Sequence, residues 1–141
     1  MNDRILVPYD GSPPSEKALE YTFEMFTDPE VTALYVVPTP EGYWAAFEDS
    51  EDRIPNVDEA RERGREILTE AESIASDHDA TLDTEVVLGK PNRIIVDRAE
   101  HEDYDTIVIG SHGREGVSRV LLGSVAETVV SRAPIPVLVV R

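Results

Sequence analysis

The chain has no cysteine, which excludes a disulfide frame, a thiol nucleophile and a cysteine metal site. No apolar run approaches the roughly 20 residues of a membrane-spanning helix. Met1, Asn2, Asp3 and Arg4 lead straight into a strand-like run, with none of the pattern of a secretory leader. A soluble cytoplasmic protein is the expectation. Positive charge is scarce. Lysine occurs only as Lys17 and Lys90, and 29 Asp+Glu stand against 13 Lys+Arg, a formal net charge of -16 at pH 7. A field of that sign repels nucleic acid, so DNA and RNA binding are set aside as the main role. It also opposes an ATP-like anion unless Mg²⁺, salt or local arginines intervene. In molar salt the Debye length falls to about 3 Å and that repulsion largely vanishes. The acidic, lysine-poor surface therefore suggests a salt-loving organism; an ordinary acidic cytoplasmic protein is the other reading. No His/Asp/Glu spacing marks a zinc site, and His78 and His101, near helix ends, read as structural.

What remains is one domain of 141 residues, long enough for a core of its own and free of repeats, linkers and low-complexity tails. Arg4 to Pro8 reads as a short buried strand that ends at the turn Asp10, Gly11, Ser12. Ala18, Leu19, Thr22, Phe23 and Phe26 recur at helical spacing and predict a helix over about 14–26. Val31 to Val37 is a second strand, stopped by Pro38 and Pro40. Residues 39–56 have no clear period; they mix acids with Tyr43, Trp44 and Phe47, and read equally as a functional loop or a solvated insert. A long helix begins at Val57, which lies with Ala60, Gly64, Ile67, Leu68, Ala71, Ile74 and Ala75 on its apolar face. Leu82 to Leu88 is a third strand, and Gly89, Lys90 and Pro91 open another helix. Strand 105–110, helix 124–132 and a last strand from Pro136 to Val140 follow. Apolar strands alternating with amphipathic helices imply a parallel sheet covered on both faces. Ligands of such sheets bind beyond the carboxyl ends of the strands, where the winding reverses. The first and fourth strands are expected to be neighbours there.

The segments after those two strands are the most turn-rich in the chain. Gly110, Ser111, His112 and Gly113 follow the fourth strand; nine residues later come Gly123 and Ser124, where a helix starts. Gly110 and Gly113 would let the backbone turn tightly and approach a ligand, and a Cβ at either would clash or be forbidden. Gly123, Ser124 and Val125 at a helix N-terminus would present free amides to a phosphate, and the Ser124 hydroxyl would cap the helix or donate to a phosphate oxygen. Arg114 and Arg119 flank this cradle; they offset a triphosphate's charge or pair with surface carboxylates. His112 has no evident partner and reads as a loop residue. Ile109 reads as core, with an edge toward a ligand.

The chain resembles the universal stress protein family over essentially its whole length. The resemblance is carried by Gly110, Gly113, Gly123 and Ser124 at the family's spacing, by the opening Ile5 to Ser12 and by the ending Ala133 to Val140. It implies a Rossmann-like, doubly wound sheet of order 3-2-1-4-5 with four helices, in a single domain spanning residues 1–141. It implies ATP binding in members with an intact glycine motif, and homodimers paired through the last strand. By resemblance, Asp10 lies at the ribose or phosphate end and binds a hydroxyl or Mg²⁺. Its alternative is a turn-former bonded to its own backbone. Pro8 and Tyr9 would line the pocket by backbone and shape, and Val36 would read the adenine edge with its main chain. The leading expectation is an ATP-binding stress or regulatory protein. A slow ATPase or a protein that phosphorylates its own serine is a second reading, although no positioned general base and no GxxxxGK[ST] loop is present. A dimeric interaction module without nucleotide is a third.

Overall fold

The computed structural model describes residues 3–38, 57–111 and 122–141. In chain order the elements are β1 (Arg4–Pro8), α1 (Pro13–Met25), β2 (Glu30–Pro38), α2 (Val57–Asp77), β3 (Asp83–Gly89), α3 (Pro91–His101), β4 (Thr106–Gly110), α4 (Ser124–Arg132) and β5 (Val137–Val140). The five strands are parallel, in the order β3-β2-β1-β4-β5. This is the Rossmann-like doubly wound sheet expected.

Strand alternation sorts the core into two layers. Ile5, Val7 and Tyr9 face α1 and α2, where they meet Ala18, Leu19, Leu68 and Ala71. Leu6, Leu34, Ile107 and Ile109 face α3 and α4, where they meet Ile95, Ala99, Ala126 and Val129. Because both faces of β1 are covered, its run Ile5, Leu6, Val7 is apolar without alternation and 0% exposed. Helix α2 lies close on β2: a Cβ on Gly64 would stand 2.7 Å from Cδ2 of Tyr35.

Several boundaries differ by a residue from the sequence reading, and those of α1, β2 and β3 have consequences for the fold. Helix α1 begins at Pro13 because Ser12 caps it and both prolines fit its first positions, where no N–H is needed. Strand β2 runs through Pro38, paired with Gly89 of β3, instead of stopping before it. The Leu34 carbonyl accepts from the Tyr9 amide at 2.9 Å, so even-numbered residues of β2 turn their polar edge toward β1. Pro38 therefore aims its missing N–H past the end of β1 and interrupts no ladder. Strand β3 starts at Asp83, one residue late.

Proline also opens the sheet. The Tyr9 bond assigns odd-numbered β1 amides to β2, so the position of Pro8 faces β4 and has no N–H to give it. The β1–β4 register ends at Leu6 and Ile107, although both strands continue. The crevice of the topological switch point begins there. At the far edge, the carbonyls of Pro136 and Val140 accept from Ile107 and Ser111 of the β4 side. By alternation, Val137 and Val139 turn their N–H and C=O groups outward.

Candidate functional site

A cleft of about 680 Å³ opens over the carboxyl ends of β1, β2 and β4. That is the size range of ligand pockets. Its walls are Pro8, Tyr9 and Asp10 after β1; Ser12 and Ser15 of α1; Leu34 to Val36 and Pro38 of β2; Pro91 and Ile95 of α3; Ile109 and Gly110 of β4; and Gly123 to Ala126 at the start of α4. Every site residue named from the sequence that falls within the described residues borders this one space. Gly113 and Arg114 lie outside the described residues, as do His112, Arg119 and the segment 39–56.

Helix α4 spans Ser124–Arg132, the range expected from the sequence, but Ser124 does not cap it. Gly123, not Ser124, is the N-cap, and among the described residues no side chain caps the helix. Ser124 is the first helical residue. The Gly123 amide donates to the Ser111 carbonyl at 2.6 Å, and the Gly123 carbonyl accepts from the Glu127 amide at 2.9 Å. The amides of Ser124, Val125 and Ala126 have no intrahelical acceptor, as in the first turn of any helix. All three residues line the cleft. Helix α1, also facing it, is capped: the Ser12 Oγ accepts from the Ser15 amide at 3.4 Å.

The expected clash at Gly110 is present, and the atoms it meets belong to the protein. It is the last residue of β4, without a positive φ, and a Cβ there would stand 2.7 Å from the carbonyl carbon of Pro14 and 2.8 Å from its oxygen. Its missing side chain admits the first turn of α1, a reason for glycine that needs no ligand. The positive φ near the site belongs to Gly11, at 81°, beside Ile67 and Glu70 of α2.

Asp10 accepts from the Ser12 amide through Oδ1 at 2.9 Å, and its own amide donates to the Ser15 Oγ at 3.4 Å. This is the side-chain turn weighed as the alternative for this residue, formed on the wall of the cleft. Tyr9 contributes main chain to the wall, while its side chain lies 2% exposed in the core under α1 and α2. Its hydroxyl is buried without a hydrogen-bond partner. Burial first, then Glu16, Glu70, Asp10 and Glu20, hold the phenol's pKa well above its usual value. Val36, by the alternation that aims Leu34 at β1, presents its N–H and C=O to the same side beyond the end of β1, on the cleft wall. Ile109 is core, 5% exposed, with one edge on the cleft.

Sequence reasoning missed Ser12, Ser15, Pro38, Pro91 and Ile95 as wall residues. Pro91 follows a strand's carboxyl end, so topology alone would have nominated it. Among the described wall residues Asp10 is the sole charged side chain. Among the described residues no three His, Cys, Asp or Glu converge on a metal position. The set therefore suits Mg²⁺ only in the way that ion usually binds with nucleotides, through one carboxylate with phosphates and water completing the shell. Among the described residues, no helix is long and apolar enough to cross a membrane.

A reversing parallel sheet, with a crevice at the reversal and a helix N-terminus facing it, defines a Rossmann-like α/β domain. The chain belongs to the universal stress protein family, whose family model, described as "Universal stress protein family", matches residues 1–141. A universal stress protein of Methanocaldococcus jannaschii is 36% identical over 140 residues, which are 98% of this chain and 81% of that one. A universal stress protein solved in complex with cAMP superposes with a TM-score of 0.73 at 25% identity, covering 99% of this chain and 97% of its own. The universal stress protein of Archaeoglobus fulgidus in complex with dAMP gives 0.70 at 25% identity, covering 100% and 98%.

Proposed function

We propose that this chain is a nucleotide-binding universal stress protein that holds an adenine nucleotide, ATP with Mg²⁺ foremost, in the cleft at the carboxyl ends of β1 and β4. The observation that carries the reading is the N-terminus of α4, uncapped and turned to a cleft of nucleotide size. Three amides and the helix dipole favour an anion there. The main chain of Val36 supplies a donor and an acceptor for the adenine edge, and Ile95, Pro91 and Pro38 an apolar bed. Asp10 meets the ribose or the metal. Relatives solved with cAMP and dAMP support an adenine ligand.

In this reading binding, and not turnover, is the output, because the cleft's described wall offers one carboxylate, already engaged by the Ser12 amide. The protein works in the cytoplasm as a stress or regulatory factor, and it pairs with a second copy through the outward edge of β5. The test is calorimetry of Mg²⁺-ATP, AMP and cAMP in about 1 M KCl, where long-range repulsion is screened, with Ser124→Pro as the variant. Proline suits the first helical position, and Gly123 at ψ 161° already has the extended backbone that precedes proline, so the helix survives. One phosphate-facing amide is removed together with the Ser124 hydroxyl, and Ser124→Ala, which removes the hydroxyl alone, is the reference for the comparison. Saturable binding that weakens about tenfold in the variant, the worth of one charge-assisted bond, supports the reading. No heat from any of the three ligands with folded protein overturns it.

A further inference from the structure

The chain's negative charge and the cleft's wall differ in one respect that matters for binding. The formal net charge is -16, yet among the described wall residues Asp10 alone is charged. The described acids that contribute to the overall field therefore lie, Asp10 apart, outside the contact shell. Glu66, Glu72 and Glu100, for example, are exposed on α2 and α3 and do not line the cleft. The attraction works at hydrogen-bond range, through the amides of Ser124, Val125 and Ala126. Salt acts on these two contributions unequally. The screening length is about 10 Å at 0.1 M and about 3 Å at 1 M. Raising salt removes repulsion from the distant carboxylates and leaves contacts of about 3 Å largely intact.

We propose that ionic strength gates this cleft: affinity for charged adenine nucleotides rises with salt, and rises more steeply the more phosphate charge the ligand carries. At low salt the cleft takes a monophosphate in preference to a free triphosphate; in molar salt the discrimination closes. Mg²⁺ acts in the same direction by neutralising the triphosphate. This rests on the nucleotide reading above. It reverses the usual behaviour of an anion site, where salt weakens binding.

The experiment measures adenosine, AMP and Mg²⁺-free ATP by calorimetry across a KCl series. The series begins at the lowest salt where near-ultraviolet circular dichroism shows the native fold. The readout is each nucleotide's association constant divided by that of adenosine, which cancels salting-out and any change in the folded fraction. Between about 0.1 and 1 M KCl the ATP ratio is expected to rise at least about tenfold, and the AMP ratio less. The triple variant E66K, E72K, E100K, made on exposed positions away from the cleft, is expected to bind ATP more tightly at low salt and to flatten the slope. A ratio that is flat or falls with salt overturns the proposal, as does an unchanged slope in the triple variant. If adenosine, AMP and ATP all fail to bind folded protein at every salt, the nucleotide reading itself fails, and the gating with it.

Discussion

Replacing Gly110 by alanine separates two explanations of a glycine that sits in a phosphate-cradle motif. If the residue is small so that a ligand can approach, the variant folds normally and loses nucleotide. If it is small so that α1 can pack on β4, the variant loses stability. The distances favour the second. An ideal Cβ would stand 2.7 Å from the carbonyl carbon of Pro14, 2.8 Å from its Cβ and 2.8 Å from its oxygen. Comfortable contact needs about 3.5–4.0 Å, so the new methyl overlaps by at least about 0.7 Å. Nothing in its way is a flexible side-chain end. Pro14 belongs to a first turn held by the Ser12 cap and by a second proline. On the strand side, Ile107 and Val108 are 0% exposed, so β4 has no room to withdraw. Overpacking of this kind costs about 1–3 kcal/mol. Alanine's smaller unfolded-state entropy returns about 0.4–1 kcal/mol. The net loss is about 1–2 kcal/mol. That lowers the urea midpoint by roughly 0.5–1 M with unchanged slope, and Tm by about 3–8 °C. Nucleotide affinity, measured where the variant is fully folded, should stay within about threefold of the parent, under about 0.7 kcal/mol. A variant as stable as the parent would refute the packing argument. A stable variant that no longer binds nucleotide would restore Gly110 to the phosphate site.

The remaining expectations concern Tyr9, Glu16 and Val139. The buried Tyr9 hydroxyl has no hydrogen-bond partner, and an unmet polar group in that position costs about 1–3 kcal/mol. Tyr9→Phe should therefore match or exceed the parent in urea stability; a clear loss would mean that the hydroxyl is satisfied in solution. Burial first, then Glu70 and Glu20, raise the Glu16 carboxyl above its ordinary 4.5. A raised folded value means that protonation favours the fold, so the penalty of charged Glu16 is absent in acid and grows as pH rises through that value. Glu16→Gln should gain stability at pH 7 and lose the gain near pH 4; a difference constant across pH counts against the cause assigned. Val139 turns its N–H away from β4, so Val139→Pro spares the sheet's own ladder and removes an edge donor. If the chain pairs through β5 as proposed, sedimentation should show a dimer for the parent and a folded monomer for the variant. A variant that stays dimeric would move the interface off β5.

Much of this fold is legible because β1, β2 and β4 are apolar runs bounded by proline and glycine, and because the helices carry a regular apolar face. Strand order is less so, since hydropathy says nothing about neighbours; the order 3-2-1-4-5 came from resemblance. The cleft's position follows from topology, which brings the segments after β1 and β4 together. Individual roles depend on what packs against what. Pro14 and Gly110 are far apart in sequence, and no local pattern reveals that their backbones touch. Tyr9 is different. It follows Ile5 and Val7 at a spacing of two, so the alternation that places those two under α1 and α2 also carries the Tyr9 side chain away from the cleft. That signal was available. The cap of α4 moved by one residue from Ser124 to Gly123, the scale on which helix ends are always uncertain.

The glycine spacing in this chain has at least two physical causes, and they carry different weight for function. Gly110 is accounted for by α1. Gly123 has no such packing account: its φ of -69° suits any residue, and the turn it closes is main chain, since Ser111 donates its amide to Val140 at 2.8 Å and accepts the Gly123 amide at 2.6 Å. One residue thus ties the end of β4 both to β5 and to the start of α4. A chain that kept this geometry without any ligand would still need a small residue at Gly110. The spacing is therefore stronger support for the fold than for ATP. The case for a nucleotide rests on features the fold does not require: a helix start that no described side chain caps, a cleft of about 680 Å³ in front of it, and the polar edge of Val36 extending past β1. Any serine, threonine or aspartate at Gly123 would cap α4 from within and stabilise the domain. Glycine leaves those amides for something else, and in this cleft an anion is the partner they fit.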